Sequence, residues 1–225
     1  MHRSAMRLLA SAAVIPVMFV AGCSSDSGDK ADDSASPSKN SSSAAPAPAK
    51  YTKLPKPCDA VAEKTIEDLV PEADDKSGSA GKSSDINARG TCTWHGLDGF
   101  QFRWLDVSLQ RFESDPTLGS ADKRAGEYFA KQVEEAKGTK DAKKVETGTP
   151  SGLGDQAASV RYDITKDGDG YKNQTVVART ENVVVTVNYN GAGYEDAKAP
   201  KSSDLLKDAE KAAGEMVKAV AAANK

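Results

Sequence analysis

The stretch from Ala158 to Tyr189 constrains the fold more than any other part of the chain. Ala158, Val160, Tyr162 and Ile164 alternate with polar neighbours, Asp167-Gly168-Asp169-Gly170 interrupts them, and Gln174 to Thr180 returns. After Glu181-Asn182, Val183, Val185, Val187 and Tyr189 alternate against Val184, Thr186 and Asn188. Side chains that alternate with a period of two form strands, and turns this short join only antiparallel neighbours. The segment therefore predicts a three-stranded meander.

The flanking sequence adds strands and helices without any strand-helix-strand alternation. Thr91 to His95 and Phe100 to Phe112 read as a hairpin through Gly96-Leu97-Asp98-Gly99. In the second of these strands Phe100, Phe102 and Trp104 alternate in one phase, and Leu105, Val107 and Leu109 continue in the other. That slip predicts a bulge near Trp104 or a strand covered on both faces at its middle. Asp59 to Val70 has helical apolar spacing, with Asp59 as cap and Pro71 as stop. Pro71 to Gly90 reads as a polar loop. Ser120 to Ala136 is a second helix capped by Ser120, and Ser203 to Ala222 is a third, with the longest apolar stripe. Lys137 to Ser151 is loop, with at most a short strand at Lys144 to Glu146. The expected fold class is α+β: a single twisted antiparallel sheet of about five to six strands, helices packed on one face, and a long C-terminal helix.

The amino-terminal residues are of a different kind. His2, Arg3 and Arg7 precede an apolar run from Leu8 to Val20, broken only by Ser11, and Val20-Ala21-Gly22-Cys23 follows. The run is shorter than the roughly 20 residues a membrane span requires, so it reads as a signal peptide over 1–22. The small residues before Cys23 predict diacylglycerol attachment to its thiol, making the chain a lipoprotein on the extracytoplasmic side of the cell membrane. Two acyl chains hold a protein at a bilayer where one is marginal. Residues 23–50 lack Val, Leu, Ile and aromatics up to Lys50, and such a segment cannot offset the entropy of ordering. It reads as a tether with an average reach of roughly 30 Å, which leaves 51–225 as one domain.

Removing residues 1–22 takes away two of the 30 bases and none of the 33 acids, so the mature chain has a formal charge of −5. Acids accompany bases throughout and no basic patch is interleaved with aromatics, which excludes nucleic acid as the expected partner. Cys58 and Cys92 remain as an even pair in an exported chain, and a disulfide between them is expected. Free thiols and a metal site are the alternatives. A structural zinc takes four ligands, and His95 is the one histidine left after processing.

Pro57-Cys58 opens the first helix, Cys92-Thr93-Trp94 opens the first strand pair, and Gly152-Leu153-Gly154-Asp155-Gln156-Ala157 enters the meander. With the lipobox and the Ser/Pro-rich tether, these motifs resemble the DUF3558 family of actinobacterial lipoproteins. The resemblance covers most of the chain after the tether. It implies the Cys58–Cys92 bridge and a mixed sheet-and-helix fold, and it carries over no catalytic residue. Some relatives in that family resemble sensor domains of receptor kinases, which implies binding.

The remaining candidate chemistry is sparse. His95 could act as a base beside a serine, oriented by Asp98 or Asp106, but no nucleophile elbow accompanies it. Asp167 and Asp169 offer oxygens at alternate positions without the rest of a calcium loop, and a hairpin turn explains them. Gly152-Leu153-Gly154-Asp155 is too short for a phosphate loop, so no cofactor is expected. Asn173-Gln174-Thr175 matches a glycosylation acceptor by chance. Trp94, Phe100, Phe102 and Trp104 are candidates to line a ligand pocket, with core packing as the alternative for most of them. Two readings follow. The first is a non-enzymatic envelope module that binds a protein, a glycan or a small lipid-like ligand. The second is an envelope hydrolase using His95 or carboxylates such as Glu127 or Asp106. A two-lobed transport receptor would need more chain.

Overall fold

The computed structural model describes residues 45–225. The signal segment and Cys23 lie outside the described residues. The domain is α+β, built on one antiparallel sheet of seven strands in the order β1-β2-β3-β7-β6-β5-β4. The strands are β1 (Ser79–Ala80), β2 (Arg89–Asp98), β3 (Gln101–Arg111), β4 (Lys143–Gly148), β5 (Gln156–Lys166), β6 (Asp169–Thr180) and β7 (Val183–Gly193). The three helices are α1 (Glu63–Leu69), α2 (Ala121–Lys137) and α3 (Ser202–Ala223). The sheet has seven strands against the five to six expected, and its two edge strands are short or exposed: β1 is the unexpected one, and β4 is the short strand allowed at Lys144 to Glu146. The two-residue β1 lies within the segment read as loop, and β4 has no buried residue along its length.

The meander forms as its alternation dictates, and each strand extends beyond its apolar core. β5 pairs with β6 from Gln156↔Arg179 to Lys166↔Asp169, and β6 with β7 from Lys172↔Gly191 to Thr180↔Val183. Asp167 and Gly168 turn the first hairpin with φ of 53° and 95°, the two positive values that a type I′ turn demands. The β2–β3 hairpin turns one step later than its glycines suggest. Asp98 still pairs with Gln101, which puts Gly99, at φ 57°, and Phe100 in the turn itself.

Both faces of the sheet carry helices, which corrects the expectation of a single covered face. Val176, Ala178, Val183, Val185, Val187, Tyr189, Leu105, Val107 and Leu109 face α1 and α3 in the main core. Val177 and Val184, one step out of phase, instead pack with Ala125, Phe112, Tyr128, Phe129 and Val133 around α2. Alternation places successive residues on opposite faces, so α2 and α3 enclose β6 and β7 between them. That accounts for the unbroken burial from Gln174 to Ala178 and from Val183 to Val187, whereas a half-covered strand would alternate.

α1 is shorter than its apolar spacing predicts. Pro57–Asp59 forms a separate 3-10 turn whose Cys58 is bonded to Cys92 of β2. Asp59 therefore caps nothing, and Ala62 is the N-cap residue, with no capping side chain of its own. Glu215 of α3 does that work from a distance. Its carboxylate accepts from the Ala62 N–H at 2.9 Å and from the Thr65 hydroxyl at 2.7 Å. Ser120 caps α2 as its sequence predicts, accepting from the Lys123 N–H.

The last residues of the expected tether already lie against the domain. The Ser114 hydroxyl donates to the Ala47 carbonyl, and Lys50 pairs with Glu181. Asn182 is fully buried and uses its whole amide: Oδ1 accepts from the Tyr51 N–H at 2.8 Å, and Nδ2 donates to the carbonyls of Tyr51 at 2.9 Å and Phe112 at 2.7 Å. Asn224 accepts from the N–H groups of Thr52 and Lys53 and donates to the Lys53 carbonyl. The chain thus enters the domain at the end of the sheet marked by the β6–β7 turn. Gly154, in the run entering β5, passes so close to β6 that a Cβ would stand 2.4 Å from the Arg179 carbonyl oxygen, and its φ is 65°. Glycine is required there for both reasons.

Candidate functional site

α2 covers only the half of the second sheet face that adjoins the β6–β7 turn. The register shows what occupies the other half. On β3 the odd positions Leu105, Val107 and Leu109 are buried under the main core, so Phe102 and Trp104 point to the opposite face. Trp104 pairs with His95 on one side and Asn190 on the other, and Asn190 pairs with Asn173. One step further from the β6–β7 turn, Phe102 pairs with Leu97 and Ala192, and Tyr171 with Ile164. These rows run across five strands of one face.

The aromatic rings form a connected surface. His95 stacks on Trp104 at a centroid distance of 5.1 Å with the planes 17° apart. Phe102 is 6.5 Å from Trp104, 6.2 Å from Tyr171 and 5.7 Å from Tyr194. Offset and edge-on ring pairs at such separations are attractive beyond their buried area. The surface is held at both ends. His95 Nδ1 lies 3.0 Å from a carboxylate oxygen of Asp74, whose N–H also donates to the His95 carbonyl. At the other end the Tyr171 and Tyr194 hydroxyls share a hydrogen bond of 2.9 Å. The Tyr194 phenol is pushed up to about 12, first by loss of solvent and then by that bond, so it stays neutral over the physiological range.

Phe102, Trp104, Ile164, Lys166, Tyr171, Asn173 and Asn190 line an open depression of about 360 Å³. This is within the size range of small-molecule sites. Asn190 makes no side-chain hydrogen bond among the described residues, and Asn173 commits only one N–H, to the Tyr171 carbonyl at 3.3 Å. Two adjacent amides are therefore left with donors and acceptors for a ligand.

The four aromatics named from sequence separate here. Phe102 and Trp104 line the depression together, and Phe100 sits in the adjoining turn, 56% exposed and not in the lining. Trp94 is on the other face, 1% exposed, with its indole N–H donated to the Lys76 carbonyl, and takes no part in the depression. The slip of phase along β3 is neither a bulge nor a strand covered on both faces. The β2–β3 register is unbroken from Arg89↔Gln110 to Asp98↔Gln101, and the two apolar phases serve two faces, one covered and one open. Tyr171, Tyr194, Asn173, Asn190 and Ile164 were not named from sequence as neighbours of these aromatics, because only the register brings them beside Trp104.

The groups considered for hydrolysis do not converge. His95 is engaged by Asp74 and Trp104, Asp106 accepts from the Thr93 hydroxyl at 2.8 Å, and Glu127 pairs with Lys123 on α2. Among the described residues no three His, Cys, Asp or Glu side chains come together as a metal site, and no helix is long and apolar enough to cross a membrane. No family model, curated protein or solved structure matches the chain.

Proposed function

We propose that this chain is a non-enzymatic binding module of the cell envelope, held at the outer face of the cytoplasmic membrane by acyl chains on Cys23. One observation carries the reading: the anchor side and the open aromatic face are at opposite ends of the same sheet. Residues 45–54 are fastened beside the β6–β7 turn, on the side that leads back to Cys23. Asn190 lies seven residues along β7 from Val183, about 24 Å at the rise of a strand. Residues 45–54 therefore leave the ring-bearing end of the sheet uncovered.

The lipobox and the resemblance to DUF3558 lipoproteins support the anchor, and the braced rings with idle amides beside them support binding. The test compares the wild-type and Cys23→Ala chains in the native host by fractionation and intact mass. The wild-type chain is expected to pellet with membranes and to carry the mass of a diacylated amino-terminal cysteine. The variant is expected in the soluble fraction. If both pellet, or the wild-type mass lacks the lipid, the anchor is refuted.

A further inference from the structure

We infer that the open face recognises a neutral glycan of the envelope, an inference that rests on the binding function proposed above. A pyranose ring has C–H faces that lie flat on aromatic rings and a rim of hydroxyls that both donate and accept. The platform offers the complement of each. Tyr171, Phe102, Trp104 and His95 follow one another at centroid spacings of 6.2, 6.5 and 5.1 Å with planes 80°, 40° and 17° apart, so a sugar would meet individual ring faces, chiefly that of Trp104, beside ring edges. Asn190 and Asn173 stand beside the rings with amide groups uncommitted among the described residues, each able to donate to one hydroxyl and accept from another. Both ends of the ring series are braced, by the Tyr171–Tyr194 hydrogen bond at one end and the Asp74 carboxylate 3.0 Å from His95 Nδ1 at the other, so few rotamers need freezing when a ligand arrives.

Charge and position exclude the competing occupants. The loops at this end of the sheet carry Asp98, Asp167, Asp169, Glu195 and Asp196 against Lys166, Lys198 and Lys201. That excess repels nucleic acid, phosphate polymers and anionic lipid headgroups. An acyl chain calls for an enclosed apolar cavity, whereas this depression is open and includes two asparagines and a lysine. The described part of the tether is fastened at the opposite end of the sheet and does not cover the rings.

The experiment uses the full mature chain carrying Cys23→Ser, titrated with neutral tetrasaccharides of glucose, mannose, arabinose and N-acetylglucosamine and followed by tryptophan fluorescence. Trp104 reports the face, while the buried Trp94 stays constant. Saturable binding of at least one glycan is expected, weakened about tenfold or more by Asn190→Ala in the fluorescence titration and by Trp104→Ala in isothermal titration calorimetry, which does not need the indole removed in that variant. Unfolding midpoints of both variants should stay close to the parent, which separates lost contacts from lost fold. Absence of saturable binding to all four overturns the glycan inference. A photoreactive side chain at position 104 in the wild-type chain then tests the platform in cells. Crosslinking to a protein leaves the binding function standing without the glycan, and no crosslink of any kind overturns both.

Discussion

Asn182 joins the incoming chain to the β6–β7 turn, and replacing it by Ala or Asp distinguishes a packing role from a hydrogen-bonding one. Alanine removes the acceptor of the Tyr51 N–H and the donors to the Tyr51 and Phe112 carbonyls. Tyr51 O keeps a bond from Arg111 Nη1 at 3.4 Å, so two backbone groups lose their partner. At about 1 to 3 kcal/mol for each buried polar group left unpaired, Asn182→Ala should cost about 3 kcal/mol, a large part of the 5 to 15 kcal/mol typical of a domain. Asp is nearly isosteric but worse at neutral pH. It keeps the acceptor for Tyr51 N–H and sets a carboxylate oxygen against two carbonyl oxygens where Nδ2 stood 2.9 and 2.7 Å from them. A buried charge without a partner costs about 4 kcal/mol. Those contacts raise the introduced carboxyl in the folded state, because protonation restores one donor. Its folded pKa then exceeds the unfolded value of about 3.9, so the variant loses stability as pH rises and regains part of it on acidification. Urea unfolding of parent, Ala and Asp chains at pH 7 and pH 4, followed by Trp94 fluorescence, measures all of this. An Asp variant as stable as the parent at pH 7, or equally destabilised at both pH values, would refute the reasoning.

Reducing the Cys58–Cys92 bridge frees a loop closed over 34 residues, which in the chain-entropy description costs about 3.8 kcal/mol; urea midpoints with and without reductant should differ accordingly, and equal midpoints would contradict it. Glu215→Ala removes the acceptor that caps α1 from α3 and should lower stability by about 1 kcal/mol, with Glu215→Gln losing less because one oxygen can still accept. Burial holds the Asp208 carboxyl above the ordinary carboxylate value, outweighing the nearby Lys211 and Arg103. The folded state therefore binds that proton more tightly, and stability falls as pH rises from 3.8 through the raised folded value. Asp208→Asn should raise the urea midpoint at pH 7 and make no difference at pH 3; the opposite pH order would show that its charge is stabilising.

The parts of the fold that local pattern dictates were legible before any coordinates. The alternation of Val183 to Tyr189, the Ser120 cap and the apolar stripe of α3 each encode one element, and the odd-even rule makes them agree. The bridge followed from the parity of the cysteines. What depends on distant packing was not legible. Nothing near Asp59 signals that Glu215 supplies the cap 153 residues from Ala62. That α2 sits behind the sheet follows from where Val177 and Val184 point, which matters only once both strands are central. The candidate face was half legible. The rings of Phe102 and Trp104 were visible as a phase change, and counting back from the Glu181-Asn182 turn would have paired Asn173 with Asn190. Placing either beside Trp104 requires the non-local pairing of β3 with β7, which no turn specifies.

The Tyr51–Asn182 and Lys53–Asn224 clasps bring the beginning and the end of the folded chain to one corner of the molecule. Tension applied through the residues before Tyr51 is therefore borne at that corner, by a few polar contacts. The ladder of β3 on β7 beneath the rings lies off the line of force. A pull on the amino-terminal segment can strain its seat while the far face keeps its shape.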